Sequence, residues 1–492
     1  MTFTVRFLGQ DGKCLHTGGV SLRPLSMSWS ALGGCDSAEI SVQGDGLDIA
    51  DWQGYLAKPV EIFDELGRLR WWGWLESVEK RLPGMRLGYD LSKMANRVAV
   101  VFDALPPDDM LGEKQQTAWV DDAESQALYG IKERVLLGGS LTLEQAEHWR
   151  DAELQRWRLP VLQAEPTSTS GNLGLVLSCK GWMHRLDWRV WQRESGVIAN
   201  TVSQSGVQAV GADLQNAQIA QSFLVPRTVH LSAIQVRLRK QGLPVDKLRV
   251  DIKADQTGSP ATGTLASCSL DPSELSPTTY AWVRGVFPAQ ISLTAGNRYW
   301  FVIRRLGALD SANHCLMALD ENLSFPTGEL KIYNQSEQSW QVRVPPADAL
   351  FKLTVLSRIE DEIAEILQLA TDFLTGSDLE ASIGLRLPVD KSLNTTLLQA
   401  LRNLLSLDTQ TGDRLLMEIS PDRFLRICAA PEPSVYSLSM DDTGELFDRM
   451  GRALAVPSDA VGKYVGVRHG KGFLVREMRL DLESGRYQLK TF

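Results

Sequence analysis

The chain is poor in the residues that usually announce chemistry. Its six cysteines, Cys14, Cys35, Cys179, Cys268, Cys315 and Cys428, are scattered over 492 residues without one C-x-x-C pair. Neither a zinc site nor a disulfide framework is implied, and reduced, buried thiols are the expectation. The six histidines, His16, His148, His184, His230, His314 and His469, include no H-x-x-x-H or H-E-x-x-H spacing, so two imidazoles cannot share a helical face around a metal. The nucleophile-elbow pattern G-x-S-x-G is missing, and so is the phosphate-cradling G-x-x-x-x-G-K-[ST] loop, which removes the cheapest support for a hydrolase or a nucleotide-driven machine. No apolar run reaches the roughly 18 residues needed to cross a bilayer. The first residues, MTFTVRFLGQDGK, alternate like a strand and do not form a charged start followed by an apolar block, so neither secretion nor membrane insertion is expected. The expectation is a protein without cofactor, metal or catalytic activity.

Positive charge is also in deficit: 51 Lys and Arg against 60 Asp and Glu leave a net charge of -9. Duplex binding depends on phosphate neutralisation, so a nucleic-acid-binding surface is disfavoured, although an acidic chain could line a channel that DNA crosses without sticking. What is present is ordinary for folded protein: 43% hydrophobic and 23% charged residues, enough for about three cores at roughly 100 to 200 residues each.

Residues 1 to 100 read as strands and tight turns. In Lys58 to Lys80, KPVEIFDELGRLRWWGWLESVEK, two apolar segments flank the turn-forming Asp64-Glu65-Leu66-Gly67, which predicts a β-hairpin. Trp72 and Trp74 would share one strand face and Trp71 the other. A strand aromatic on both sides is either sandwiched inside its domain or covered by a neighbouring subunit, so Trp71, Trp72 and Trp74 are candidates for a subunit interface. Residues 101 to 200 are mixed. Thr142-Leu-Glu-Gln145 has capping-box spacing, and Leu143, Ala146, Trp149, Leu154 and Trp157 give a helical apolar face up to Pro160. Strand-like alternation then returns at Leu173 to Leu177 and again from Trp182 to Trp191. Trp182, Trp188 and Trp191 invite a ligand-stacking reading, but core packing is the more common fate of such residues.

Residues 201 to 355 are rich in Ser, Thr, Gln, Gly and Pro and hold short strands between turns: Gln221 to Val225, Ala233 to Arg239, Leu248 to Ala254, Tyr280 to Phe287 and Tyr299 to Arg304. This spacing indicates a β-sandwich with no helix of ordinary length. Helices reappear in residues 356 to 492. One is carried by Ile359, Ile363, Ile366, Leu367, Ala370, Phe373 and Leu374, with Glu360, Asp361 and Glu362 in the first turn where the helix dipole favours them. A second starts at the cap Asn394 and carries Leu397, Leu398, Leu401, Leu404 and Leu405. Arg414 to Ile427, centred on Pro421-Asp422, reads as a hairpin, and Tyr464 to Thr491 as strands. The fold class expected is mainly β with a minority of α, one host body interrupted by an independent module.

Acidic pairs occur at Asp108-Asp109, Asp121-Asp122 and Asp441-Asp442. Glycoside cleavage needs two carboxylates about 5 to 9.5 Å apart across a cleft, and sequence neighbours are better explained as caps and turns, Asp121 and Asp122 ahead of the helical run Ala123 to Tyr129. The sequons at Asn322, Asn334 and Asn394 matter only in a eukaryotic secretory pathway.

Two stretches resemble a known family. Tyr55 to Phe102, where KPVEIFDELGRLRWWGWLESVE is followed by GMRLGYDLSKMANRVAVVF, is similar to a region of phage tail-tip and baseplate-hub proteins in which a hairpin precedes a short helical segment of the type D-L-x-x-M-A-N-R-V. Phe373 to Pro433, with its hairpin RLLMEISPDRFLRICAAPEP, resembles the C-terminal hub segment. With Thr117 to Tyr129 and Cys179 to Trp191, the resemblance covers much of the chain outside the insert. It implies a tail-tube-like β-barrel body assembled as a ring, most often a homotrimer, that caps or adapts the end of the tail tube in the virion. The implied partners are the tail tube protein, the distal tail protein, the tape-measure protein and tail fibre or spike proteins, with DNA only in transit through the lumen. Within the insert, residues 201 to 355, the stretch Gln221 to Ile303 resembles jelly-roll modules similar to carbohydrate-binding modules. Trp282, Tyr299 and Trp300 fall within its strands as core. Tyr333 and Trp340 flank a polar turn and are the better candidates for stacking on a host glycan, with simple packing as the bland alternative. A stand-alone carbohydrate-binding protein and a tail-borne glycosidase are the competing readings.

Overall fold

The computed structural model describes residues 2–9, 12–15, 17, 19–44, 48–104, 114–166, 174–193, 198–388, 392–430, 437–440, 446–447, 464–467, 473–482 and 486–491. Asp108-Asp109, Asp441-Asp442, His16 and His469 lie outside the described residues. The protein is mainly β with a minority of helix. It divides into two compact units: the first contains 1–192, 362–384 and 393–492, the second 193–361 and 385–392. Residues 1–100 and 101–200 thus belong to one body, and the second unit starts ahead of residue 201 because the strand Ile198–Asn200 pairs with Phe351–Arg358.

The first unit is built on a sixteen-stranded sheet that curls into a nearly closed, barrel-like form. Its central order runs Thr4–Phe7, Pro59–Phe63, Leu69–Leu82, Gly174–Lys180, Leu32–Gln43, Ser21–Ser30 and Phe473–Asp481. The hairpin expected at Lys58 to Lys80 forms around Asp64, whose carboxylate accepts the backbone N–H of Leu66 and Arg68 at 2.9 Å each and the Arg70 guanidinium at 2.9 Å. Burial alone would raise the Asp64 pKa, but these donors together hold it well below the usual carboxylate range. The sheet is completed from the far end of the chain. Ser26 to Ser30 pair antiparallel with Asp481 to Glu477, and Leu32 and Gly33 pair parallel with Met417 and Glu418.

Beside this sheet, Leu143–Trp157 forms a helix whose Thr142–Gln145 capping box is made in both directions. It packs on Arg97–Ala104, which pairs in parallel with Glu133–Leu141. Only part of the expected apolar face is buried: Ala146 and Leu154 are covered, whereas Leu143 and Trp149 stay exposed. The segment resembling D-L-x-x-M-A-N-R-V is a turn followed by that strand, not a short helix. Buried Asn96 explains this, because its side chain bonds Lys132 N–H, Gly130 C=O and the Ser125 hydroxyl, and so competes with helical backbone bonding. The helix Leu397–Leu405 is capped by Thr396, which accepts Gln399 N–H at 3.2 Å, and not by Asn394. The helix expected through Leu374 is regular only over Ile359–Gln368 and continues as hydrogen-bonded turns.

The second unit is a β-sandwich of an eight-stranded and a seven-stranded sheet. Among its described residues the helical elements are the short turn Leu214–Asn216 and the first residues of the helix Ile359–Gln368. Alternate residues of Val229–Gln241, His314–Asp320 and Phe351–Arg358 meet those of Gln218–Leu224, Leu248–Gln256 and Arg298–Arg305 in one apolar core. Phe351 sits at its centre, with ring centroids of Phe223, Phe301 and Phe325 between 5.1 and 6.4 Å away.

Candidate functional site

The segment Trp182–Trp188 is not the strand that its alternation suggests but a 3-10 helix. With three residues per turn, positions i and i+3 eclipse, so the side chains sort into three columns. Met183 and Leu186 are wholly buried. His184 and Asp187 form a second column, with the imidazole Nδ1 3.8 Å from the Asp187 carboxylate. Trp182, Arg185 and Trp188 form the third and line a cleft of about 580 Å³ in the first unit.

Arg185 is the floor of that cleft. Its guanidinium carbon lies 3.8 Å from the Trp188 ring centre and 4.4 Å from that of Trp74, and the two indoles meet edge to face at 5.1 Å. A desolvated cation over an indole is worth about 2 kcal/mol. The guanidinium donates to the backbone carbonyls of Tyr129 at 2.7 Å and Ala57 at 3.3 Å, and among the described residues no carboxylate stands within ion-pair distance of it. Burial pulls its pKa down to about 9, which still leaves it charged at neutral pH. Beside it Arg189 is paired with two carboxylates, 3.2 Å from Glu133 and 2.9 Å from Asp372. On the rim Arg423 occupies the hairpin turn with a left-handed backbone, φ 66°, and holds its guanidinium 5.9 Å from the Trp182 ring centre. The wall opposite includes Tyr129, whose phenol pKa burial raises.

Behind the second column runs a chain of hydrogen bonds. The Ser28 hydroxyl donates to Asp36 at 3.1 Å, Asp36 meets His184 Nε2 at 2.9 Å, and the Thr396 hydroxyl donates to Asp187 at 2.7 Å. The carboxylate stands between serine and imidazole, so His184 cannot take the Ser28 proton, and the set lacks the geometry of a nucleophilic triad. Burial works against a charged His184, but the bonds to Asp187 and Asp36 outweigh it and raise its pKa. Among the described residues no group of three His, Cys, Asp or Glu is placed to hold a metal.

No family model matches the chain, and no curated protein matches it. Among solved structures, the T=1 particle derived from infectious bursal virus is similar at 11% identity over 68% of this chain and 77% of that one, with a TM-score of 0.18. The infectious bursal disease virus VP2 subviral particle is similar at 9% identity over 68% and 81%, with a TM-score of 0.17. Likeness at this level carries no argument about the chain.

The aromatic residues singled out in the sequence fall in different places. Trp71 and Trp74 are wholly buried within their own unit and have no surface to offer a second subunit. Those two indoles therefore pack inside the chain's own sheet, whereas Trp72 keeps part of its surface open. Trp72 is partly buried, its indole N–H bound to the Ile419 carbonyl at 2.8 Å, and its edge reaches the cleft. Trp182, Trp188 and Trp191 are buried. In the second unit Tyr333 and Trp340 are cross-strand partners with centroids 5.1 Å apart and planes at 59°. Trp340 packs on Ala220, Trp300 and Val302. The two rings turn towards each other, so they do not form a flat platform. Sequence reading missed Arg185, Arg189 and Arg423. The period-three interleaving of Trp182, Arg185 and Trp188 is the signal that would have found the first.

Proposed function

We propose that the chain is a structural subunit of a phage tail tip or baseplate hub, a non-enzymatic ring component whose body carries an inserted β-sandwich that decorates the tip. One observation carries this reading: the antiparallel pairing of Ser26–Ser30 with Glu477–Asp481, which completes the first unit's sheet from chain segments on either side of the second. A body that must keep its sheet while gaining a module accepts the module where its two chain ends lie together. The hub resemblance falls on the body, and the sandwich is the part that resembles jelly-roll modules. The ring would be a homotrimer contacting the tail tube, distal tail and tape-measure proteins.

The test is mass photometry of the full chain, alone and with its tail partners, followed by imaging of particles carrying a label on this chain. A trimer, and label at the tail end, are the expected results. A monomer at every concentration in the presence of the partners sinks the proposal. Glycan binding by the sandwich rests on Tyr333 and Trp340, and a glycan array read with and without Trp340→Ala decides it.

A further inference from the structure

The floor of the Trp182–Trp188 cleft holds a cation with no carboxylate at ion-pair distance among the described residues, although Asp372 and Glu76 act on it from further away. Buried charges in proteins are normally paired, because desolvation without a partner costs several kcal/mol. Arg185 is held by two neutral carbonyls and two indole faces, and the nearby Asp372 is committed to Arg189 at 2.9 Å. A second guanidinium, that of Arg423, is held over the rim by a residue whose φ of 66° is unfavourable for a side chain with a Cβ. Strain of about 1 kcal/mol or more persists where surrounding structure or function demands it. Trp182, Trp188 and Tyr129 line the cleft together with the charged Lys58, Glu61 and Asp372, and the volume of about 580 Å³ lies within the usual range for small-molecule sites.

We propose that this cleft binds a carboxylate carried on an apolar or aromatic body, with Arg185 as its charge partner at the floor and Arg423 at the rim. A singly charged group fits better than a phosphate dianion, since Asp372 and Asp422 also line the opening and repel a second negative charge. A guanidinium fork matches carboxylate geometry, and the indole walls accept the apolar body. The carboxylate could arrive on a small organic acid or on a polypeptide, as a C-terminus or acidic side chain. This site does not rest on the tail reading.

The test uses the full chain, tryptophan fluorescence and ligand-observed NMR, with phenylacetate, its neutral analogue phenylacetamide, inorganic phosphate, N-acetyl-phenylalanine and N-acetyl-phenylalaninamide. Both carboxylates are expected to bind on the order of ten- to a hundredfold more tightly than their amides, as the loss of a charge-assisted hydrogen bond requires. Arg423→Ala leaves the floor intact and should weaken both carboxylates about tenfold, while Arg185→Lys keeps the charge but loses the planar fork and should weaken them at least as much. Tighter binding of N-acetyl-phenylalanine than of phenylacetate supports the site with a polypeptide carboxylate as its source, and the reverse order supports it with a small acid. Amides that bind as well as acids overturn the proposal, and so does phosphate that binds as well as phenylacetate. It also fails if carboxylate binding is unchanged in Arg423→Ala, a readout that survives even if Arg185→Lys does not fold.

Discussion

The two units solve the same problem, burying a large β-surface, in opposite ways. The second unit is nearly one continuous stretch of chain whose sheets face each other over a largely aliphatic core with Phe351 at its centre, its buried carboxylates Asp320 and Asp348 lying in the strands and their ends. The first is assembled from three separate stretches, and its interior admits charge: Arg185 between two indoles, His184 between two carboxylates, and Lys132 over Trp188 with its pKa lowered to about 8 by burial. The contrast teaches that one nearly continuous stretch of chain suffices for the sandwich, whereas a sheet closed by strands from both ends needs the whole chain.

The largest test of that contrast is dissection. Residues 193–392 expressed alone should melt cooperatively by circular dichroism, because both sheets and the core are internal to them. Residues 1–192 alone should fail to fold, since Ser21–Ser30 and Leu32–Gln43 lose their partners Phe473–Asp481 and Leu415–Ile419. A stable 1–192 fragment would break the comparison. Next, Phe351→Ala removes the central ring of the sandwich and should cost about 3–5 kcal/mol, seen in a denaturant melt as loss of the second unit's transition with the first unit's retained.

In the first unit the matching weak point is a close approach. A Cβ on Gly181 would come within 1.7 Å of the Cys35 carbonyl oxygen, which is backbone and cannot move aside. Gly181→Ala should cost about 3 kcal/mol and lower the first unit's transition alone. Equal destabilisation of both units would show that they do not melt independently.

The smallest expected effect is in the pH slopes. His184 has its pKa raised in the fold, so its contribution is complete below the unfolded value of about 6.5 and fades as pH rises through the folded one. His230, in the second unit, is shifted the other way, by burial first and then by Arg386, with Asp361 opposing them and Arg358 adding the least. Its contribution is complete above the unfolded value and is lost as pH falls through the folded one. Melts between about pH 5 and 8 should therefore move the two transitions in opposite directions, and His184→Gln should flatten the first.

Much of the architecture was legible beforehand because it rests on short-range rules. The Asp64 turn, the Thr142–Gln145 box and the hairpin closed at Pro421-Asp422 are each made by neighbours in sequence. The sandwich strands declared themselves by alternation and turn spacing. The candidate site was less legible. WMHRLDW alternates well enough to pass for a strand, and only its packing, with Met183 and Leu186 both wholly buried, selects a period of three over a period of two. The same limitation left the tryptophans open between core and interface: periodicity put aromatics on both faces of Leu69–Leu82 but could not say whether the covering surface came from the same chain.

The sequence by itself determined the class, the turns, the caps and the presence of a strand-rich module between helix-bearing segments, since these follow from hydrogen bonds and steric preferences acting over a few residues. Only the tertiary structure decided that Ser28 lies opposite Arg479 and that Arg185 ends up between Trp74 and Trp188. Pairing between strands hundreds of residues apart is settled by which surfaces fit and exclude water together, and that information is spread over the whole chain.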